Sequence, residues 1–233
     1  MLFFVPFIVL LLVIVCHIVI FNKTTYHQTT GNSYFSTVFD KGRYGEYLIS
    51  KNLRHLEKQG AKFLFNVYFP KEDGETTESD VIMITPRGFI VFESKNYSGW
   101  IFGDEKQKMW TQTLPQGKGK PAHKEKFFNP IMQNNLHIKY LRSVVGAEYS
   151  IKSIIAFSER CELKKVTVVS SDVQVVKRNH IRQAVETALD MMPQDAMTTE
   201  QIEQLYQLIY PYSQVSEAIK QQHIQNINQH HEN

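Results

Sequence analysis

The sequence predicts a mixed α/β domain, in which a mixed sheet is flanked by helices, preceded by one N-terminal transmembrane helix. Two apolar β-prone runs around a Pro-Arg turn predict an antiparallel hairpin at the centre of the chain, and amphipathic helical patterns lie before and after it. The first 21 residues form an uncharged apolar run. With 233 residues, 42% hydrophobic and 21% charged, the chain suits one ordinary domain with an appendage. The net charge of +3 permits nucleic-acid binding without arguing for it.

The N-terminal run has the composition of a membrane anchor. Residues 2–21 carry no charged side chain, and a helix needs about 20 apolar residues to cross a bilayer. A signal peptide would have a basic start and small residues at a cleavage site, and neither is present. We therefore expect an uncleaved single-pass anchor at 1–21 in the cell membrane. Lys23, Lys41 and Arg43 follow it, which favours a cytoplasmic C-terminal part.

The remaining elements follow from periodicity and turn residues. Residues 22–40 are polar and predict a flexible linker. We expect helices at 42–59, 129–143, 178–191 and 199–210, the last with Thr198 and Gln201 as a capping pair. We expect strands at 61–69, 80–84, 88–96, 99–103, 109–113, 153–158 and 166–171. Residues 70–79 and 115–128 are predicted loops. The tail from 213 is polar and Gln-rich, and we expect either a peripheral helix or disorder there.

The central hairpin brings charged side chains together. Glu93 and Lys95 are two residues apart in a strand and therefore share one face. If Thr85 pairs with Gly88, Asp80 lies opposite Glu93, with Cβ atoms about 4.5–5.5 Å apart. Two adjacent carboxylates repel each other, and a hard divalent cation relieves that repulsion. The pattern predicts a site for Mg²⁺ or Mn²⁺ held by Asp80 and Glu93.

These residue types suit phosphodiester hydrolysis. A metal held by Asp80 and Glu93 would polarise a phosphodiester oxygen and lower the pKa of a bound water. Lys95 would position that water or stabilise charge in the transition state. The alternative is structural, because an E-x-K pair is often an ion pair on a solvated strand and Asp80 could simply begin a strand.

The same motifs resemble a known family. The run 76–103 (TTESDVIMITPRGFIVFESKNYSGWIFG) is similar to the core of the NERD, or nuclease-related, domain. The resemblance covers about residues 40–160, including G-R-Y-G-E at 42–46, Trp110 and N-P-I-M-Q at 129–133. It implies a restriction-endonuclease-like fold with a D…E-x-K active site. The family pattern places its catalytic residues at Glu46, Asp80, Glu93, Lys95 and Gln133.

The resemblance also sets the predicted domain limits. After the anchor (1–21) and linker (22–40) come a nuclease-related core at 41–160, a strand and helices completing the domain at 161–212, and a polar tail at 213–233. Glu46 and Gln133 could instead lie on helix surfaces. Gly45, Gly88 and Gly99 could serve turns or close packing.

Other features allow nucleic-acid contact but have simpler explanations. Lys118, Lys120, Lys124 and Lys126 form a basic loop with His123 that could contact phosphates or be merely solvated. Trp100 and Trp110 could stack on bases, although packing within a hairpin is the commoner use of such residues.

The preferred function is a membrane-anchored, Mg²⁺- or Mn²⁺-dependent nuclease. The expected substrate is nucleic acid, DNA in the first place with RNA left open, and a homodimer is also left open. The alternative is a non-catalytic module that binds nucleic acid or a protein partner at the membrane, and a membrane-linked scaffold is the third hypothesis.

Overall fold

The structure, a computed structural model, describes residues 4–117, 119–194 and 196–232. Its main sheet has five strands in the order β1-β2-β3-β7-β9. Strands β1, β2 and β3 are antiparallel neighbours, whereas β7 and β9 continue the sheet in parallel with β3. The bounds are β1 (Lys62–Pro70), β2 (Thr76–Thr85), β3 (Gly88–Lys95), β7 (Ile151–Phe157) and β9 (Val173–Lys177).

A second, four-stranded sheet has the order β6-β5-β4-β8. Here β4, β5 and β6 form an antiparallel meander, and β8 runs parallel to β4. The bounds are β4 (Gly99–Asp104), β5 (Met109–Leu114), β6 (His123–Phe128) and β8 (Cys161–Thr167). Ile101 and Trp110 of this sheet pack with Ile155 and Phe157 of β7, so one apolar cluster joins the two sheets.

Helices cover both faces of the main sheet. Helices α4 and α6 pack on one face, and α5 and α7 pack on the other. The helices are α1 (Phe4–Asn22), α2 (Thr25–Thr30), α3 (Tyr34–Val38), α4 (Lys41–Glu57), α5 (Pro130–Val145), α6 (Ile181–Asp190), α7 (Thr199–Ser213) and α8 (Glu217–Glu232), with a 3₁₀ turn at Arg178–His180. The predicted α/β class with helices flanking a mixed sheet is therefore confirmed.

The N-terminal region differs from its prediction. In the described part of the chain, no helix is both long enough and apolar enough to cross a membrane, so the predicted transmembrane anchor is not confirmed. Residues 1–3 of that segment lie outside the described residues. The expected flexible linker is wrong, because α2 and α3 occupy most of 22–40. Tyr26 of α2 is fully buried in the domain core beside Phe21, the penultimate residue of α1.

Three other elements were mispredicted. Strand β2 begins at Thr76, inside the predicted loop 70–79, because it continues the ladder with β1. The predicted loop 115–128 contains β6, which pairs along its whole length with β5. The strand predicted at 166–171 is wrong, because β8 ends at Thr167 and β9 was missed. Much of the tail forms α8, which agrees with the first of its two predicted alternatives, a peripheral helix.

The remaining elements match their predictions closely. The central hairpin has the predicted register, from Thr85 opposite Gly88 to Val81 opposite Phe92. The hairpin of β4 and β5 is also confirmed. Helix α7 begins with the predicted capping box, since Thr198 and Gln201 each bond the other's backbone N–H.

Candidate active site

The middle of β2 carries Asp80, and the end of β3 carries Glu93 and Lys95. Just beyond the last pair of the hairpin ladder, the Ser94 backbone N–H donates a hydrogen bond to Asp80 Oδ2 (2.7 Å). Asp80 therefore lies beside the segment of β3 that bears Glu93 and Lys95, as the hairpin register predicts. Strand β7 covers the other edge of this segment, with Glu93 opposite Ile155.

Glu93 and Lys95 form an ion pair in which the carboxylate is buried and the lysine is partly exposed. Lys95 Nζ lies 2.7 Å from Glu93 Oε1 and donates a hydrogen bond to Gln133 Oε1 at 2.9 Å. The Glu93 side chain is only 1% exposed, and its second oxygen, Oε2, lies 3.2 Å from His137 Nε2. The structure thus brings Gln133 into contact with the predicted E-x-K pair and adds His137 to it.

His137 is a site residue that the sequence analysis missed. It is buried in α5, one turn after Gln133, and its Nδ1 lies 2.7 Å from Thr77 Oγ1. Residues four apart share a helix face, so the Gln133–His137 spacing was the available indication. Because the Thr77 hydroxyl and the Glu93 carboxylate hold both ring nitrogens, the imidazole has a fixed orientation against Glu93.

A break in β-strand alternation positions Glu46. Phe63 and Phe65 of β1 face the α4 side, whereas Val67 and Phe69 face the α5 side. The break falls at Asn66, whose φ of 50° is left-handed. Such irregularities redirect side chains and are common next to active sites. Here the Asn66 side chain hydrogen-bonds to Glu46 of α4.

Close contact between α4 and β3 also brings Glu46 inward. A Cβ atom at Gly45 would collide with Ser94 Oγ and lie 3.3 Å from Arg178 Nη1. Only glycine therefore allows this approach. Glu46 is 6% exposed, and the Tyr26 hydroxyl donates a 3.2 Å hydrogen bond to its Oε2. The interpretation of Glu46 as a helix-surface residue is wrong, because its carboxyl lies in the interior.

Negative charge accumulates around these residues. Burial, and then the charge of Glu78, raises the pKa of Glu46 to about 8. Removal from water, and then the charges of Glu93 and Glu46, raise the pKa of Asp80 well above its usual range. Burial alone would raise the pKa of Glu93, but Lys95 and His137 outweigh it and hold that pKa below its usual value.

Lys95 remains an ammonium ion in this setting. Burial alone would lower its pKa, but the negative charges of Glu93 and Asp80 outweigh burial and raise the pKa. Lys95 therefore faces the carboxyl groups of Asp80 and Glu93, and its charge does not outweigh the burial and the negative charges of Glu93 and Glu46 that raise the pKa of Asp80. Buried like charges of this kind are typical of functional sites.

The donor set suits a hard cation that keeps most of its water. Within the described residues, no group of three or more His, Cys, Asp or Glu side chains forms a ready-made metal cage. Mg²⁺ usually binds one or two carboxylates together with water and substrate phosphate. The oxygens of Asp80 and Glu93 have that chemistry, and the charge repulsion at Asp80 is what a bound cation would relieve.

The other predicted nucleic-acid contacts separate into two groups. Trp110 is 1% exposed and belongs to the core, whereas Trp100 is 41% exposed. Lys124 and Lys126 lie on β6 and are exposed, as is Lys120 in the preceding turn. Lys118 lies outside the described residues.

Comparison with known proteins identifies the family. The sequence profile of the nuclease-related domain (NERD) matches residues 41–158. An uncharacterized Bacillus anthracis protein, pXO1-01, is 32% identical over 184 residues, which cover 79% of this chain and 82% of the relative. No solved structure gives a significant match. On this match, the chain belongs to the nuclease-related domain family, whose restriction-endonuclease-like relationship agrees with the mixed sheet and its flanking helices.

Proposed function

We propose that the protein is a metal-dependent nuclease that hydrolyses phosphodiester bonds, with DNA as the first substrate to test and RNA as the second. The observation that carries the proposal is the nearly inaccessible carboxylate of Glu93, which is paired with Lys95 beside Asp80 on the neighbouring strand. Removing the Glu93 carboxylate from water, with the charged groups of Asp80 and Lys95 only partly exposed beside it, is costly unless these groups are paired or bind a ligand. A purely structural ion pair would not need Asp80.

Asp80 and Glu93 would hold Mg²⁺ or Mn²⁺ together with water and a substrate phosphate. When bound, such an ion polarises a phosphodiester oxygen and lowers the pKa of bound water. Glu93 could hold the ion and keep its contacts with Lys95 and His137, because each carboxylate oxygen has more than one lone pair.

The chain's own residues supply positioning and proton control. Lys95 is held by Glu93 and Gln133, so its charge is preorganised for the negative phosphoryl oxygens of the transition state. Glu46 has a pKa of about 8 and can therefore hold or release a proton near neutral pH, as a general acid or base must. His137 fixes the second oxygen of Glu93.

A cleavage assay tests this proposal. The full-length protein is needed, because Phe21 and Tyr26 belong to the core. Labelled single- and double-stranded DNA and RNA are incubated with Mg²⁺, with Mn²⁺ or with EDTA. Cleavage should require metal and disappear in Asp80→Ala, Glu93→Ala and Lys95→Ala, each checked for folding, whereas Lys58→Gln on the exposed end of α4 should leave it unchanged.

Two outcomes would overturn the assignment. Cleavage that persists in EDTA, or that survives all three substitutions, would place the chemistry elsewhere. Metal binding without cleavage of any of the four substrates would favour the second function, a non-catalytic module that binds nucleic acid or a partner.

We further propose that α1 attaches the domain to a membrane, with the domain on the cytoplasmic side. The support is the row of exposed apolar side chains on α1, from Phe7 (66% exposed) to Ile20 (49%), followed by Lys23. Flotation of the full-length protein with anionic vesicles tests attachment, and loss of flotation in Leu10→Gln/Leu12→Gln is expected. Alkaline-phosphatase activity of a C-terminal fusion would show the opposite orientation.

A further inference from the structure

We propose that the outer face of the second sheet, β6-β5-β4-β8, binds single-stranded nucleic acid and guides it to the candidate active site. Binding by this face stands on its own geometry, whereas guidance to the site rests on the proposed nuclease function. The face combines exposed aromatic and thioether side chains with lysines. That combination holds a strand through base stacking and phosphate contacts.

The strand registers define the two sides of this sheet. Directly opposed residues share a face. One row crosses the outer face through Lys124, Thr113, Trp100 and Glu162, and the next through Lys126, Thr111, Phe102 and Lys165. Met109 lies opposite Phe128 and continues this face. The reverse side carries Ile101, Trp110 and Phe127, which pack toward the main sheet.

The outer face has an excess of positive charge. Lys124, Lys126 and Lys165 are exposed on it, and Lys164 is the extra residue at the irregularity between β4 and β8. Two acidic side chains lie on this face: Glu162, which is paired with Lys164 at 2.8 Å, and Asp104, which follows Trp100 and Phe102 in the alternation of β4. Glu125 of β6 lies opposite Gln112 and therefore on the reverse side. Three lysines thus remain available for phosphates.

Large apolar side chains lie among these lysines. Trp100 is 41% exposed, Met109 40% and Phe128 37%, although strands of a folded domain normally bury such residues. Lys164 Nζ lies 5.5 Å from the centroid of the Trp100 ring, so the ring already has a cation near it. Aromatic rings on a basic sheet are the arrangement on which unpaired bases stack.

The face is connected to the candidate site by short stretches of chain. Residues 96–98 alone separate Lys95 from β4, a span of no more than about 14 Å. On the other side, β6 runs into Asn129, which caps α5 and donates to the backbone carbonyls of Glu105 and Gln107. Gln133, which contacts Lys95, lies in the first turns of that helix. Lys95 and Gln133 are therefore both connected to the second sheet by short stretches of chain.

Single strands fit this face better than duplexes. Stacking on Trp100 and Phe128 requires bases that are free of their partners, whereas a duplex offers these rings only its backbone. Lysines alone would bind either form through phosphates. The contribution of Trp100 therefore distinguishes the two forms.

Fluorescence anisotropy in EDTA tests the proposal without cleavage. The full-length protein in mild detergent is titrated into a labelled 15-nucleotide single-stranded DNA and into its duplex. We expect Trp100→Ala to weaken single-strand binding about tenfold, as loss of a stacked base does, and Trp100→Phe to restore most of it. Lys124→Gln/Lys126→Gln should lower the slope of log affinity against log salt by about 0.7 for each lost phosphate contact. Lys58→Gln, which removes one exposed positive charge at the end of α4, is the control.

The results separate this proposal from the nuclease function. Binding within twofold of wild type in both the Trp100→Ala and double-lysine variants would overturn the binding face, even if the protein cuts DNA. Equal loss of duplex and single-strand binding in Trp100→Ala would also overturn it, since stacking requires unpaired bases. Weakened binding by these variants would support the face even if no substrate is cleaved.

Discussion

The close contact between α4 and β3 makes Gly45 a sensitive position. Alanine favours a helix interior over glycine by about 0.5–1 kcal/mol, so without a steric conflict Gly45→Ala would stabilise the protein. The structure predicts the opposite sign. The new methyl group would overlap Ser94 Oγ and lie 3.3 Å from Arg178 Nη1. Overpacking of this kind costs about 1–3 kcal/mol, so we expect a net loss of about 1–2 kcal/mol.

A second substitution isolates the cause. Ser94 Cβ would lie 3.6 Å from the new methyl group, an ordinary contact. Ser94 Oγ has no hydrogen-bond partner among the described residues, so Ser94→Ala should change stability little. The double variant Gly45→Ala/Ser94→Ala should then recover most of the lost stability, with a coupling energy of about 1–2 kcal/mol.

Denaturant unfolding of the wild type, both single variants and the double variant measures this cycle. Activity gives a second readout, because a shift of α4 moves Glu46, and a misplacement of about 1 Å can cost about 100-fold in rate. If Gly45→Ala is as stable as the wild type or more so, or if Ser94→Ala does not rescue it, the inferred contact between α4 and β3 is wrong.

Three further predictions follow from the site and the core. Because the pKa of Glu46 is raised from 4.5 to about 8, the folded protein keeps a proton that the unfolded chain loses. The free energy of unfolding should fall by up to about 1.4 kcal/mol per pH unit as the pH rises between those values. Measured in EDTA, it should depend less on pH in Glu46→Gln than in the wild type; an equal pH dependence in both would contradict the raised pKa. His137→Ala should weaken Mn²⁺ binding in calorimetry by leaving Glu93 Oε2 unpaired, and His137→Gln should restore part of it; unaltered affinity in the alanine variant would remove His137 from the site. Phe21→Ala should cost about 3–5 kcal/mol in denaturant unfolding, because this fully buried ring packs 5.1 Å from that of Tyr47; a loss below 1 kcal/mol would show that the N-terminal helices do not contribute to the core.

The hairpin at the centre of the chain could be predicted because local rules determine it. The Pro-Arg turn fixes the register, and the register places Asp80 beside Glu93. Alternation within one strand then puts Lys95 on the same side as Glu93. Each step needs only neighbouring residues, and for that reason the three charged residues could be located from the sequence.

Long-range contacts explain what the sequence did not indicate. Strand β6 is exposed and lysine-rich, so its composition resembles a loop, and only pairing with β5 makes it a strand. Tyr26 lies in a polar segment, yet its ring is buried against Phe65 and its hydroxyl reaches Glu46. His137 contacts a residue 44 positions away. In each case the decisive partner is distant in sequence.

Asn66 illustrates a weaker indication that was present. A polar residue in the middle of the aromatic run KFLFNVYF interrupts the pattern of β1. Asparagine tolerates left-handed backbone better than other side chains, and its φ of 50° shifts the alternation of the strand. The polar residue therefore marks the position where the strand alternation changes and where the Asn66 amide reaches Glu46.

Single-turnover cleavage as a function of Mn²⁺ concentration tests the central claim most directly. Labelled DNA is mixed with excess full-length wild type, Asp80→Asn or Lys95→Ala. The account predicts that Asp80→Asn needs much more Mn²⁺ for half-maximal rate, because a metal ligand is weakened. Lys95→Ala should need about the same Mn²⁺ but reach a rate lower by about 100-fold or more, because its charge acts in the transition state. Wild-type cleavage without metal, or a Lys95→Ala plateau equal to that of the wild type, would contradict the account.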